Sequence, residues 1–96
     1  MAKFSLGMLC ATAGVAEQMR QDRDFHAFVW ECLSRYREGD WGDMTSSDKR
    51  ANDDAVACGD ARILASYNRP GHPTQNIWII TEADRSSTTV LFPDEY

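Results

Sequence analysis

Two short apolar runs near the C-terminal end of this chain constrain its fold more than any other feature. Ile77 to Ile80 and Thr88 to Phe92 are rich in β-branched and aromatic side chains, which favour strands. The polar segment between them, Glu82 to Ser87, is too long for a two-residue turn. We therefore predict a β-hairpin with strands from Ile77 to Thr81 and from Thr88 to Phe92, joined by a longer loop. A hairpin of this apolar character needs a packed core beneath it.

Composition favours one folded domain. The chain has 96 residues, of which 43% are hydrophobic and 26% charged, an ordinary balance for a globular protein. We expect a single α+β domain over residues 1–96. The sequence has no run of about 18 apolar residues, the length that a membrane-spanning helix needs. We therefore expect a cytoplasmic protein without membrane contact.

The cysteines and acidic residues do not have the spacing of a metal site. Cys10, Cys32 and Cys58 are dispersed, with no Cys-x-x-Cys pair, and they predict neither a zinc site nor a disulfide framework. Asp40 and Asp43 do not continue into the alternating oxygen ligands of a calcium loop. We predict no metal and no cofactor, and the free thiols fit a reducing compartment.

The clearest helix in the sequence is amphipathic. From Asp24 to Glu38, apolar residues recur every three or four positions, which is the spacing of one helical face. These residues are Phe25, Phe28, Val29, Cys32, Leu33 and Tyr36. Asp22 or Asp24 can cap the start of the helix, and Gly39 can end it. We predict that this helix is the main helix of the core.

Turn-forming residues divide the rest of the chain into shorter elements. We predict a strand from Phe4 to Ala11, one or two helical turns from Val15 to Arg20, a second, polar helix from about Thr45 to Cys58, and a strand from Ala61 to Tyr67. Together with the hairpin, these elements predict a mainly antiparallel sheet of about four strands with the helices on one face. An unpaired first or last strand would allow a homodimer by strand addition.

The charge distribution favours a protein partner over nucleic acid. Ten basic and fifteen acidic residues give a net charge of −5, whereas nucleic-acid affinity depends on Lys and Arg contacts with phosphates. Seven of the fifteen acids lie between Glu38 and Asp60, against only Lys49 and Arg50. This region predicts a docking surface for a partner protein with a basic surface, or a mimic of a row of phosphates. The alternative is a solvated helix face that only keeps the protein soluble.

The predicted partner-binding residues form two groups. One group belongs to the Gly39–Asp43 turn and the polar helix after it, with Trp41 as an aromatic anchor for the partner. Its members are Asp40, Trp41, Asp43, Asp48, Asp53 and Asp54. The other group lies at the hairpin tip, where two strands could present polar side chains. Its members are Glu82, Asp84 and Arg85.

The sequence contains no recognisable catalytic constellation. We therefore predict no catalytic residue and a non-enzymatic protein. The alternative is a small enzyme, in which Glu82, Asp84 and Arg85 would form a site with His72 of the proline-rich loop. That alternative requires a cleft at the hairpin tip.

Several segments together resemble a known protein family. These are Gly39-Asp40-Trp41-Gly42-Asp43, Asp48-Lys49 with Asn52, Ile77 to Ser86 and Thr88 to Tyr96. They are similar to a family of small uncharacterised proteins, often labelled plasmid-related, found on plasmids, integrative elements and phages. The resemblance covers nearly the whole chain. The family has no assigned activity, so the resemblance implies a mobile-element context and no catalytic residue.

That context suggests what the protein partner does. Compact acidic proteins of mobile elements often counter host defence, as anti-CRISPR or anti-restriction inhibitors, or regulate maintenance of the element. The resemblance thus implies an inhibitor of a host nucleic-acid-targeting defence system that acts by protein binding, with a host or phage protein that has a basic surface as its partner. A regulatory or antitoxin-like partner in plasmid or phage maintenance is the alternative that the same context implies.

Overall fold

A four-stranded mixed sheet forms the centre of the structure, a computed structural model that describes residues 3–96. The strands are β1 (Met8–Ala11), β2 (Ile63–Tyr67), β3 (Ile77–Thr81) and β4 (Ser87–Leu91), and their order across the sheet is β1-β4-β3-β2. β1 runs parallel to β4, whereas the pairings of β3 with β2 and with β4 are antiparallel. The predicted α+β class and mainly antiparallel sheet are confirmed.

Three helices connect β1 to β2. They are α1 (Ala13–Gln21), α2 (Arg23–Arg37) and α3 (Ser46–Cys58), and a short 3-10 helix (Pro93–Glu95) follows β4. α2 is the predicted main helix, and α1 is longer than the one or two turns expected. None of the helices in residues 3–96 combines the length and the apolar character needed to cross a membrane.

The core lies between α2 and one face of the sheet. The apolar stripe of α2 is buried, and Phe25, Val29 and Tyr36 are at most 1% exposed. The strands contribute a second set of buried side chains, among them Ile63, Ala65, Tyr67, Ile77, Ile79 and Val90. Burial of these apolar side chains is the main force that holds the helix on the sheet.

A chain of hydrogen bonds crosses this core. The Tyr36 hydroxyl lies 2.7 Å from Thr81 Oγ1, which lies 2.7 Å from Thr88 Oγ1. Thr88 in turn donates to the Leu6 carbonyl at 2.7 Å. These hydrogen bonds connect α2, β3, β4 and the N-terminal segment. They give each buried hydroxyl group a partner, as buried polar groups require.

β1 is shorter than the predicted strand from Phe4 to Ala11. The chain turns at Gly7, which has a φ of +63°, and a Cβ there would lie 2.3 Å from the Arg85 carbonyl oxygen. Only glycine allows this close approach of two backbone segments. The residues before it leave the sheet, and Leu6 packs against the core instead.

The two edges of the sheet are β1 and β2, and residues 39–58 cover β2. β4 lies between β1 and β3, so the expectation that β4 could be an edge strand is wrong. On β2, Leu64 exchanges two hydrogen bonds with the Asn52 side chain of α3, and the Ser66 carbonyl accepts from the Asp43 N–H at 2.7 Å. Within residues 3–96, β1 has no strand on its outer side.

Candidate protein-binding surface

Trp41 lies in the core and connects the Gly39–Asp43 turn to α3. Its side chain is 3% exposed, and its ring centroid lies 5.5 Å from that of Tyr36. The indole Nε1 donates a hydrogen bond to Asp53 Oδ1 at 2.9 Å. The prediction that Trp41 is an exposed aromatic anchor is therefore wrong, because the core encloses the ring. Its position in a turn between two glycines gave no sign of this burial.

Asp40 stabilises the turn. Arg35 donates to both of its carboxylate oxygens, with Nε at 2.8 Å and Nη2 at 3.2 Å, and the Gly42 N–H donates at 3.1 Å. The hydrogen bond from Arg35 lowers the pKa of Asp40 below its usual value. The Asp40 charge is thus compensated within the fold, and its carboxylate is less available to a partner than an unpaired one.

The other four predicted acids of this region remain exposed carboxylates. Asp43 Oδ2 accepts from the Asn68 N–H at 2.9 Å, and Asp53 accepts from Trp41, yet both residues are exposed. No hydrogen bond or ion pair is described within residues 3–96 for the side chains of Asp48 and Asp54. We call these four residues, Asp43, Asp48, Asp53 and Asp54, the acidic surface.

The Trp41–Asp53 hydrogen bond links the two segments that carry the acidic surface. It holds the turn against α3, so that Asp43 and the α3 aspartates, which are separated along the sequence, belong to one part of the molecule. Lys49 and Arg50 are the basic residues of α3. Four carboxylates against two cations leave a net negative charge on this side of the domain.

Arg85 at the hairpin tip is part of the folded framework. Its φ is +62°, a left-handed conformation that is uncommon for a residue with a side chain. Its guanidinium donates to the carbonyl groups of Ala55, Ala61, Glu82 and Ala83 at 2.7 to 3.2 Å. The Ala55 carbonyl lies in the last turn of α3 and also accepts from the Gly59 N–H at 2.8 Å. Arg85 thereby connects the tip to that helix.

The structure separates the groups of the proposed enzyme site. Glu82 and Asp84 follow β3, whereas His72 lies in the loop that precedes it. A five-residue strand spans about 13 Å from end to end. Asp84 also accepts from the Ser86 N–H at 2.9 Å, and contact with Ser86 lowers the pKa of Asp84. The predicted combination with His72 is therefore not assembled.

Two cavities stand out on the described surface, and neither includes the hairpin tip. One, of about 220 Å³, lies between the loop after β2 and the C-terminal 3-10 helix. The other, of about 260 Å³, is an apolar groove between β1 and α2. Its lining includes Leu9, Ala11, Met19, Val29, Trp30 and Leu33. We call this second cavity the β1 groove.

The β1 groove and its rim are a surface that the site prediction missed. Met8, Leu9 and Trp30 are 70%, 42% and 49% exposed, which is high for large apolar side chains. Two signals in the sequence point to it. Met8 to Ala11 contains no charged residue, and Trp30 lies beside the apolar stripe of α2 rather than within it.

Comparisons of the chain with protein families, curated proteins and solved structures give no match. The resemblance to plasmid-related proteins, and the mobile-element context that it implies, therefore stay predictions.

Proposed function

We propose that this protein is a non-enzymatic interaction protein whose acidic surface binds a partner protein with a basic surface. The observation that carries the proposal is the Trp41–Asp53 hydrogen bond, because it fixes the turn that carries Asp43 against α3, the helix that carries the other three aspartates. The four residues are exposed, so their carboxylates can meet Lys or Arg side chains. Complementary charge of this kind accelerates association and selects against acidic partners.

We further propose that the partner belongs to a host defence system that targets nucleic acid. Proteins that bind nucleic acid carry basic surfaces that contact the phosphates. An acidic protein can bind such a surface in place of the nucleic acid. The resemblance to proteins of plasmids and phages supports this choice of partner. Inhibition then results from protein binding alone, with no catalytic step.

Affinity capture with charge-matched variants tests the proposal. The tagged protein is used to capture partners from a lysate of its native host. The test variant carries Asp48→Asn, Asp53→Asn and Asp54→Asn, which keep the side-chain oxygen that accepts from Trp41. The control variant carries Asp24→Asn, Glu31→Gln and Asp94→Asn, all exposed and outside the acidic surface. Both variants change the net charge from −5 to −2 by removing three acids.

The proposal requires a partner that the wild type and the control retain and the test variant loses. Retention should decrease as salt increases, because salt weakens the attraction between exposed charges. The screening length is about 10 Å at 0.1 M and becomes shorter at higher salt. A partner that both variants retain equally would reject the acidic surface. Identification of the partner then separates a defence protein from a regulator of plasmid or phage maintenance.

A further inference from the structure

Within residues 3–96, the backbone groups on the outer edge of β1 have no hydrogen-bond partner. The Met8 N–H donates to the Ser86 carbonyl and the Thr12 N–H donates to the Val90 carbonyl, both at 3.0 Å. These residues therefore point their backbone polar groups towards β4. Because this direction alternates along a strand, the N–H and C=O groups of Leu9 and Ala11 point away from the sheet. Both residues are exposed.

β1 lacks the protection that the opposite edge has. Side chains and backbone from α3 and the Gly39–Asp43 turn cover β2, as described above. Natural edge strands are commonly protected by a charged residue, a proline or a bulge. The sequence of β1 is Met-Leu-Cys-Ala, so it contains no charged residue and no proline that would protect the edge. The edge is thus open to another strand.

We propose that a second copy of this chain occupies this edge, through antiparallel pairing of the two β1 strands about a two-fold axis. The axis passes by Cys10, so that Leu9 of each copy lies opposite Ala11 of the other. The outward groups of these two residues then form four hydrogen bonds between the copies. Centring the axis on Leu9 would instead bring the irregular Gly7 into the ladder, and it would leave the groups of Ala11 without a regular partner.

The side chains around this edge favour a second copy as the occupant. By the register with β4, Leu9 and Ala11 lie on the same sheet face as Thr88 and Val90, which is the face that packs against α2. Ala11 is small and lines the β1 groove. The Leu9 side chain of the second copy would therefore lie over Ala11 and enter the β1 groove of the first copy. By symmetry, Leu9 of the first copy would enter the β1 groove of the second.

Charge also favours self-association at this edge. The residues of β1 and those lining the β1 groove are uncharged, so two copies meet there without like charges in contact despite a net charge of −5 on each. A basic partner would gain nothing from this edge. Two four-residue strands and their flanking side chains form a small contact, at or below about 1,200 Å², so the dimer is expected to be reversible.

The dimer places the acidic surface and the pairing strand β1 at opposite edges of the sheet in each subunit. The acidic surface belongs to α3 and its turn, at the β2 edge, whereas the pairing strand is the other edge of the sheet. A dimer formed through β1 therefore leaves both acidic surfaces available. Two linked surfaces can bind a repetitive partner more tightly than one.

Molar mass as a function of concentration tests the dimer. Sedimentation equilibrium of the full chain, from about 1 μM to about 1 mM, covers the range of affinity expected for a small interface. We expect the mass to rise from that of one 10.8-kDa chain towards twice that value. Leu9→Lys should abolish this rise, because it places a charge opposite Ala11 of the second copy and in the apolar lining of the β1 groove. Thr74→Lys in an exposed loop adds the same charge and should leave the rise unchanged.

A disulfide trap tests the register. Two Cys10 residues that face each other in a non-hydrogen-bonded pair would have Cα atoms about 4.5 to 5.5 Å apart, within the range of a disulfide. In a Cys58→Ser chain, glutathione disulfide accepts two electrons and two protons from the two Cys10 thiols, which form one disulfide, and two glutathione thiols are released. We expect a covalent dimer that Leu9→Lys prevents and Thr74→Lys permits.

Each outcome decides either the pairing or its register. A chain that stays monomeric throughout the concentration range overturns the proposal, as does a dimer that Leu9→Lys leaves intact. A dimer that forms without a Cys10 disulfide overturns the register. Circular dichroism of each variant identifies a loss of folding. If Leu9→Lys does not fold, Ala11→Lys replaces it, since Ala11 lies at the same edge and is exposed.

Discussion

Asn52 of α3 exchanges two hydrogen bonds with the backbone of Leu64 in β2. Its Nδ2 donates to the Leu64 carbonyl at 2.8 Å, and its Oδ1 accepts from the Leu64 N–H at 3.3 Å. One amide side chain thus replaces the neighbouring strand that β2 lacks. Asn52 is 6% exposed, so water cannot easily replace these bonds. The contact holds α3, and with it the acidic surface, on the sheet.

Asn52→Ala should therefore lower the free energy of unfolding. Removing the side chain leaves a backbone donor and acceptor of Leu64 without their partner, at a cost of about 1–3 kcal/mol. Asp54→Ala is the matched control, two residues further along α3. It brings a similar gain in helix propensity, and the Asp54 side chain has no described hydrogen bond to lose. Urea denaturation measures both. Equal stability of the two variants would contradict the role given to Asn52.

Trp41→Phe should destabilise the protein more than Trp30→Phe. The first change removes the donor to Asp53 and part of a ring enclosed in the core, at a cost of about 1–3 kcal/mol. Trp30 is 49% exposed, and its replacement should cost less than about 1 kcal/mol. Denaturation midpoints compare the two. The reverse order would mean that Trp41 is not enclosed as described.

Acid should weaken the fold partly through Asp40. Its pKa is lower in the folded protein than the usual 3.8, chiefly because Arg35 donates to the carboxylate. The folded state then binds this proton less readily than the unfolded state. The stabilisation is therefore present above pH 3.8 and is lost as the pH falls through the lower, folded-state value. The pKa of Asp22 is lowered as well, chiefly because the backbone N–H of Phe25 donates a hydrogen bond to its carboxylate.

Asp40→Asn should make the acid dependence shallower. Measured as the free energy of unfolding between about pH 5 and pH 2, the variant should lose less stability on acidification than the wild type. Asp54→Asn serves as the control, because its side chain makes no described bond within residues 3–96. An unchanged slope for Asp40→Asn would show that the pair with Arg35 does not persist in solution.

The three cysteines should differ in reactivity. Cys58 is exposed, Cys10 is partly buried, and Cys32 is 1% exposed. Burial raises the pKa of Cys32 to about 12, so little of the reactive thiolate exists at neutral pH. Timed alkylation at low protein concentration, followed by peptide mass spectrometry, should find Cys58 modified first and Cys32 only after unfolding. Native modification of Cys32 as fast as Cys58 would contradict its burial.

Elements set by local pattern were predictable from the sequence. Ile77–Thr81 has the predicted bounds, because consecutive β-branched residues with polar flanks favour a strand locally. α2 begins and ends one residue from its predicted bounds, because its apolar spacing and the Asp22 cap are both visible in the sequence. Neither feature depends on distant parts of the chain.

Features that depend on distant contacts were not predictable. The parallel pairing of β1 with β4 joins segments almost 80 residues apart, and the shortening of β1 follows from contact between Gly7 and the hairpin tip. The burial of Trp41 depends on Tyr36 and Asp53, which turn composition does not reveal. The acids of the acidic surface were predicted, but the separation of Asp40 from them required the contact with Arg35.

The rate of association with the captured partner tests the central proposal most directly. Stopped-flow measurements at several salt concentrations compare the wild type, the Asp48/Asp53/Asp54 variant and the charge-matched Asp24/Glu31/Asp94 variant. We predict that only the Asp48/Asp53/Asp54 variant associates more slowly and with a weaker dependence on salt, because local charge steers the encounter. Equal association rates for the two charge-matched variants would contradict a partner-binding role for the acidic surface.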